Sequence, residues 1–289
     1  MHISGMGFLF IKNNTEVFHS MPVYRFQKIN GNMLKTVAIV TMLIDHIAAA
    51  AILPIVVDGY YRGDMSIAQL NKIYYIMRCV GRWAFPIFCF LLVEGFCHTK
   101  SRVKYALSLL FFGLISEVPF DIAFYADNES CNPNVLEVLS ANRDTLLDQS
   151  NVYFTLLFGL LVIWAIDYSF TIIREKKLPT ALTMVSCAFF TLAGSIITYK
   201  INTDYDYRGI LLIVILYILK KQRPLNLLAA YMFICTMPLE PFSLPAFIMM
   251  AFYNNKRGRN LGKLKYLFYV FYPVHLTLIY IFRCVYAMQ

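Results

Sequence analysis

Between Met33 and Val285 the chain is a succession of apolar runs, several of them as long as a bilayer is thick, separated by short polar connectors. A spanning helix needs about 20 mostly apolar residues. Nine segments are candidates: Met33–Val57, Ile76–His98, Val103–Ala126, Val152–Ile173, Pro179–Tyr199, Tyr207–Leu219, Leu225–Met237, Phe242–Asn254 and Leu264–Val285. The first five and the last have the required length. The sixth to eighth are short, and Pro238, Pro241 and Pro245 mark the seventh and eighth as a broken or re-entrant pair. Such runs cannot all be hidden from water: 59% of the 289 residues are hydrophobic and only 15% are charged, against about 25% charged in soluble domains. Intrinsic disorder, a coiled coil and a secreted disulfide scaffold are excluded on the same ground. The expected fold class is all-α, a polytopic transmembrane helix bundle of about nine spans. Residues 1–32 read as an N-terminal tail and 33–289 as a single transmembrane domain. The tail has no apolar core long enough for a cleavable signal, so the first span is expected to direct insertion.

The net charge is +9, from 26 Lys and Arg against 17 Asp and Glu. Its distribution, not its size, is informative. Basic residues cluster in alternate connectors: Lys100/Arg102/Lys104, Arg174/Lys176/Lys177, Lys220/Lys221/Arg223 and Lys256/Arg257/Arg259/Lys263. The intervening connectors are balanced or, at 127–150, acidic. By the positive-inside rule this predicts a cytoplasmic N-terminus and an outer C-terminus. The charge therefore reads as topology and lipid contact, with no nucleic-acid partner. The seven cysteines form no C-x-x-C pair and mostly lie in apolar runs, so neither a disulfide framework nor a metal site is expected. Pairing of Cys131 with Cys284 on the outer side is left open.

Ionisable residues inside the spans are the functional signal. An Asp, Lys or Arg costs about 2.5 to 3.5 kcal/mol at mid-helix on insertion scales. The first span carries Asp45 and His46, the second Arg78, Arg82 and Glu94, the third Glu117 and Asp121, and the last His275. Arg78 and Arg82 share a helix face, as do Glu117 and Asp121, because each pair is one turn apart. These four are either structural salt bridges or part of a wet cavity open to both sides. Glu94 reads as a helix-end residue or a functional one, and His275 as a hydrogen-bonded core histidine or a participant in chemistry. Asp45 and His46 are the pair with the least structural excuse. Neighbours on a helix point about 100° apart, so Arg82 is as good a partner for Asp45 as His46 is.

Several runs carry a resemblance to a known family. They are Leu34-Lys35, Met42-Leu43-Ile44-Asp45-His46, Gly81-Arg82-Trp83-Ala84-Phe85-Pro86, Glu94-Gly95-Phe96, Ile115-Ser116-Glu117-Val118-Pro119-Phe120-Asp121, Asp206-Tyr207-Arg208-Gly209, Tyr253-Asn254-Asn255-Lys256-Arg257-Gly258 and Tyr272-Pro273-Val274-His275. In this order and spacing the chain resembles the TraX family. That resemblance implies an acyltransferase of the bacterial inner membrane, since TraX proteins acetylate the N-terminus of conjugative pilin. It also implies kinship with wider transmembrane acyltransferases, including acyltransferase family 3. Those carry acyl groups from cytoplasmic acyl-CoA and have an Arg or Lys followed, after ten residues, by His; Lys35 and His46 repeat that spacing.

The expected activity is transfer of an acetyl group from cytoplasmic acetyl-CoA to an acceptor amine or hydroxyl at the outer face. The acceptor is a pilin-like peptide, a polysaccharide or a small molecule. His46 is the expected base or acyl carrier, Asp45 the group that stabilises its imidazolium, and Arg82 an oxyanion donor or a partner of Glu117 and Asp121. His275 completes the catalytic set. Lys35, Arg78, Glu94 and Arg257 are the expected contacts of the donor. The rival reading is a secondary transporter or proton-coupled permease, which uses buried carboxylates and histidines equally well.

Overall fold

The structure is a computed structural model, and it describes residues 27–125, 134–141, 148–260, 262 and 266–288. Most of the expected N-terminal tail, Cys131 and much of the acidic 127–150 connector lie outside the described residues. Among those described, every regular element is helical: α1 (Gly31–Ile47), a π-helical turn (Ala48–Ile52), α2 (Leu53–Val57), α3 (Ile67–Gly81), α4 (Ala84–His98), α5 (Arg102–Phe124), α6 (Val135–Ala141), α7 (Val152–Glu175), α8 (Ala181–Lys200), α9 (Asp206–Ile218), α10 (Arg223–Ile234), a 3-10 turn (Glu240–Ser243), α11 (Leu244–Ala251) and α12 (Leu267–Met288).

Six continuous or nearly continuous helices are long and apolar enough to cross a membrane: Gly31–Val57, Ile67–His98, Arg102–Phe124, Val152–Glu175, Ala181–Lys200 and Leu267–Met288. The chain is a multi-pass membrane protein. The helices of the short sixth to eighth runs have 13, 12 and 8 residues. At about 1.5 Å per residue these reach roughly 20, 18 and 12 Å, less than the hydrocarbon thickness of about 30 Å. The expected count of nine full spans is therefore not what the helix lengths give. The short helices are nonetheless central: Ile210, Leu212 and Ile213 of α9, Ala230 and Ile234 of α10 and Met250 of α11 are fully buried. Conversely, α8 shows Leu182, Met184, Val185, Phe189 and Leu192 at the surface, as a lipid-facing helix should.

Connectors meet in two groups, one at each end of the bundle. Gly31 N–H donates to Lys256 O and Asn32 N–H to Arg257 O, tying the entry of α1 to the basic loop after α11. Ser150 N–H donates to Asn202 O and Asp204 N–H to Ser150 O, joining two connectors of the other set. Arg62 N–H reaches the Tyr286 hydroxyl near the end of α12. Connectors of like charge character thus share an end, as the alternating basic pattern requires.

Prolines explain the irregularities around the site. A proline inside a helix cannot donate to the carbonyl four residues earlier. Pro86 deprives the Arg82 carbonyl, and α3 gives way to α4 at Arg82–Trp83. Pro54 deprives the Ala50 carbonyl, which accepts from Arg283 Nη1 at 3.2 Å instead. Pro273 deprives the Tyr269 carbonyl, which accepts from the Tyr153 hydroxyl at 3.1 Å.

Candidate functional site

Asp45, near the middle of the first span and 8% exposed, anchors an ion network between α1 and α3. Arg78 Nη1 donates to Asp45 Oδ2 at 2.6 Å. Arg82 Nη2 donates to both carboxylate oxygens, at 2.8 and 2.9 Å, and its Nε turns back to the Arg78 carbonyl at 3.2 Å. This approach needs Gly81, because a Cβ there would overlap the Asp45 side chain. The other edge of Arg82 faces Glu240, with Nη1 3.3 Å from Oε1, and the Tyr205 hydroxyl at 3.5 Å. Leu239, in left-handed backbone at φ 63°, turns the chain so that Glu240 is inserted with 2% of its surface exposed. The Trp83 indole donates to the Phe242 carbonyl at 2.8 Å and holds this turn against the α3–α4 break. Burial raises the Glu240 carboxyl to about 7, although the Arg82 guanidinium beside it pulls the other way;.

His46 does not bond to Asp45. The carboxylate turns towards α3, while the imidazole turns towards α12, where His46 Nδ1 lies 2.7 Å from His275 Nε2. His275, 3% exposed, has its Nδ1 2.7 Å from the Phe271 carbonyl. Phe124 and Tyr272 meet the His46 ring edge-on, with centroids 5.3 and 5.7 Å away.

The two halves share a cavity of about 450 Å³. Its polar lining includes Asp45, His46, Arg78, Arg82, Asp204, Tyr205, Arg208 and Glu240, and its aromatic walls include Phe85, Phe120, Phe124 and Tyr272. Three carboxylates face three guanidiniums, so the space is polar but nearly balanced in charge. Lining residues Asp204, Tyr205 and Thr236–Pro238 come from connectors at one end of the bundle. Towards the other end of α1, Leu34 and Ala38 are fully buried and neither lines the cavity.

Other expected site residues lie elsewhere. Arg78 and Arg82 are engaged by Asp45 and Glu240 rather than by Glu117 and Asp121. Glu117 accepts from the Asn151 side-chain amide and, at 3.3 Å, from its backbone N–H; Asn151 caps α7, so this carboxylate serves a helix junction. Asp121 is 1% exposed within α5. Glu94, near the opposite end of the bundle, sits 3.4 Å from Arg223 and 3.8 Å from His98. Lys35 lies over the Phe268 ring at 5.6 Å. The Arg257 side chain is exposed while its carbonyl binds Asn32. None of these five lines the cavity.

Sequence reasoning missed Glu240, Tyr205 and Arg283. Glu240 was visible as the sole charge in a proline-rich connector. Arg283, 3% exposed, donates to the carbonyls of Ala50, Ala123 and Ile122; its signal was Pro54, which leaves one of those carbonyls without its helical donor.

The profile of the TraX protein family matches residues 30–283, nearly the whole of the helical domain that builds this site. The chain belongs to the TraX family. It is 31% identical over 260 residues to a probable fimbrial assembly protein, FimC of serogroup H1, from Dichelobacter nodosus, covering 85% of this chain and 92% of that protein. No solved structure matches it. Matched residues include every cavity-lining ionisable group named above.

Proposed function

We propose that this TraX protein is an acetyltransferase of the bacterial cell membrane, with His46 as its general base. The observation that carries this reading is a half-buried imidazole, with one nitrogen unpartnered among the described residues, on the wall of a cavity whose Asp45, Arg78, Arg82 and Glu240 are locked in an ion network. Acetyl-CoA is the donor, its acyl arm reaching His46 from the end that bears Lys35 and Arg257 when the buried packing at Leu34 and Ala38 opens, and the acceptor enters from the end that bears Asp204 and Glu240. His46 takes the proton of the acceptor amine or hydroxyl as it attacks the thioester carbonyl. The carbon–sulfur bond then breaks and the departing thiolate takes that proton from His46, which returns to its neutral form. Arg82 and Arg78 do not need to touch the oxyanion; their geometry supports a role in fixing Asp45 and the helix that carries His46. The relative named as a fimbrial assembly protein makes a pilin-like peptide the first acceptor to try.

The test is release of CoA thiol from acetyl-CoA by purified protein in nanodiscs, given acceptor peptides and polysaccharides. His46→Ala is expected to lower turnover by about 10²-fold or more while leaving the thermal unfolding temperature nearly unchanged. Undiminished turnover would remove His46 from the reaction. That all the connector residues lining the cavity come from one end of the bundle favours a second reading, a proton-coupled permease. Acceptor uptake into proteoliposomes lacking acetyl-CoA would select it.

A further inference from the structure

The hydrogen bonds of the two histidines fix which nitrogen of His46 is free. A backbone carbonyl can only accept, so the 2.7 Å contact of His275 Nδ1 with Phe271 O places a proton on His275 Nδ1. In the neutral ring His275 Nε2 is then a lone pair. The 2.7 Å contact between that nitrogen and His46 Nδ1 places the His46 proton on Nδ1. The two ring planes differ by 11° and the centroids stand 5.0 Å apart, as far as a contact so short permits. The rings therefore lie edge to edge, with the N–H pointing along the line between them, and do not stack face to face. His46 Nε2, on the opposite edge, carries the remaining lone pair and has no protein partner among the described residues.

We infer that His275 is a positioning residue, which holds His46 in the Nδ1–H tautomer and so presents its Nε2 lone pair to the cavity. Free neutral histidine favours the opposite, Nε2–H form, which would offer the cavity a proton instead of a base. His275 itself does not line the cavity and touches no reacting atom. Its own orientation is set one turn back by Phe271, whose ring also packs near-parallel to it at 4.7 Å. Thus the chain of command runs from the backbone of α12, through one imidazole, to the base on α1. The kinetic consequence rests on the acetyl-transfer reading; the tautomer does not.

Nitrogen-15 NMR of protein labelled at histidine reads the tautomer directly, with His46 assigned by difference against His46→Gln. Wild type is expected to show protonated Nδ1 and bare Nε2 at His46, His275→Ala to show the proton moved to Nε2, and His275→Gln, whose amide oxygen accepts the same hydrogen bond, to keep it on Nδ1. Retention of Nδ1–H in His275→Ala, or Nε2–H in wild type, overturns the inference. In the CoA-release assay His275→Ala is expected to fall about 10²-fold and His275→Gln to recover to within about tenfold of wild type. Should His46→Ala be inactive while His275→Ala matches wild type, the inference fails and the acetyl-transfer reading stands. Should His46→Ala match wild type, the reading fails and the spectrum alone decides the inference.

Discussion

Two polar layers cross this bundle, and both are made of charges that lipid disfavours. One lies around Asp45, where Arg78, Arg82 and Glu240 converge and a cavity opens beside them. The other lies near the opposite end, where Glu94 meets Arg223 and His98, and Asp167 meets Arg102 at 2.8 Å and the Tyr217 hydroxyl at 2.5 Å. In the second layer each acid has its own cation, the members sit near helix ends, and none lines the cavity. In the first, one carboxylate holds two guanidiniums, one guanidinium holds two carboxylates, and an imidazole beside them keeps one nitrogen without a partner among the described residues. Charge within a membrane helix is thus a poor guide to chemistry. On the acetyl-transfer reading, an unspent lone pair beside open volume is a better one.

Four substitutions test this contrast. Asp45→Asn should do the most, leaving two guanidiniums without their carboxylate; removal of one partner of a buried pair costs about 3–5 kcal/mol, read as a lowered unfolding temperature. Adding Arg78→Gln to Asp45→Asn should restore part of the loss, and a double variant no more stable than the single would show that the network is not the source.

Glu240 should make stability depend on pH. Its folded value is raised from 4.5 to about 7, so its contribution is fully present below the unfolded value and is lost as pH rises through about 7. Wild type should therefore lose stability relative to Glu240→Gln between pH 5 and pH 8, by a few kcal/mol at most on the order of 1.4 kcal/mol per unit. Parallel unfolding curves for the two proteins would refute this. Arg82, Asp45, Asp204 and Tyr205 all face Glu240 electrostatically, so Arg82→Gln should steepen the dependence.

Gly81→Ala inserts a methyl group into Asp45. Overpacking of this kind costs about 1–3 kcal/mol and should also lower CoA release, since it displaces the residue next to His46. The mildest change belongs to the second layer. Tyr217→Phe removes one hydrogen bond to the Asp167 carboxylate, which keeps Arg102, a loss of about 1.5 kcal/mol at the low end for a charged acceptor, with turnover unaltered. A large drop in turnover would bring the second layer into the function after all.

The apolar runs foretold the long helices because a hydrocarbon environment constrains length and polarity residue by residue. Prolines at 54, 86 and 273 mark where helical bonding fails, since a missing N–H is a local fact, although from the sequence only Pro238, Pro241 and Pro245 read as breaks. The short runs after Tyr207 entered the count of nine on composition alone, while their prolines already marked the last two as broken; α11 has only 8 residues, because Pro245 and the 3-10 turn before it set where a helix can begin. Likewise the Glu117 and Asp121 pair shares a face as its spacing requires, but a shared face does not name the helix opposite.

Membership of the membrane class, the long helices and the height of each charge along its helix were all settled by the order of residues, through effects that act within a few turns. Which groups meet was settled only when the helices packed. His46 and His275 are separated by 229 positions, and Arg82 and Glu240 by 158. No periodicity reaches that far. Adjacent side chains on a helix diverge by about 100°, so Asp45 and His46, neighbours in the chain, were turned by the packing of α1 against α3 and α12 to serve two different partners.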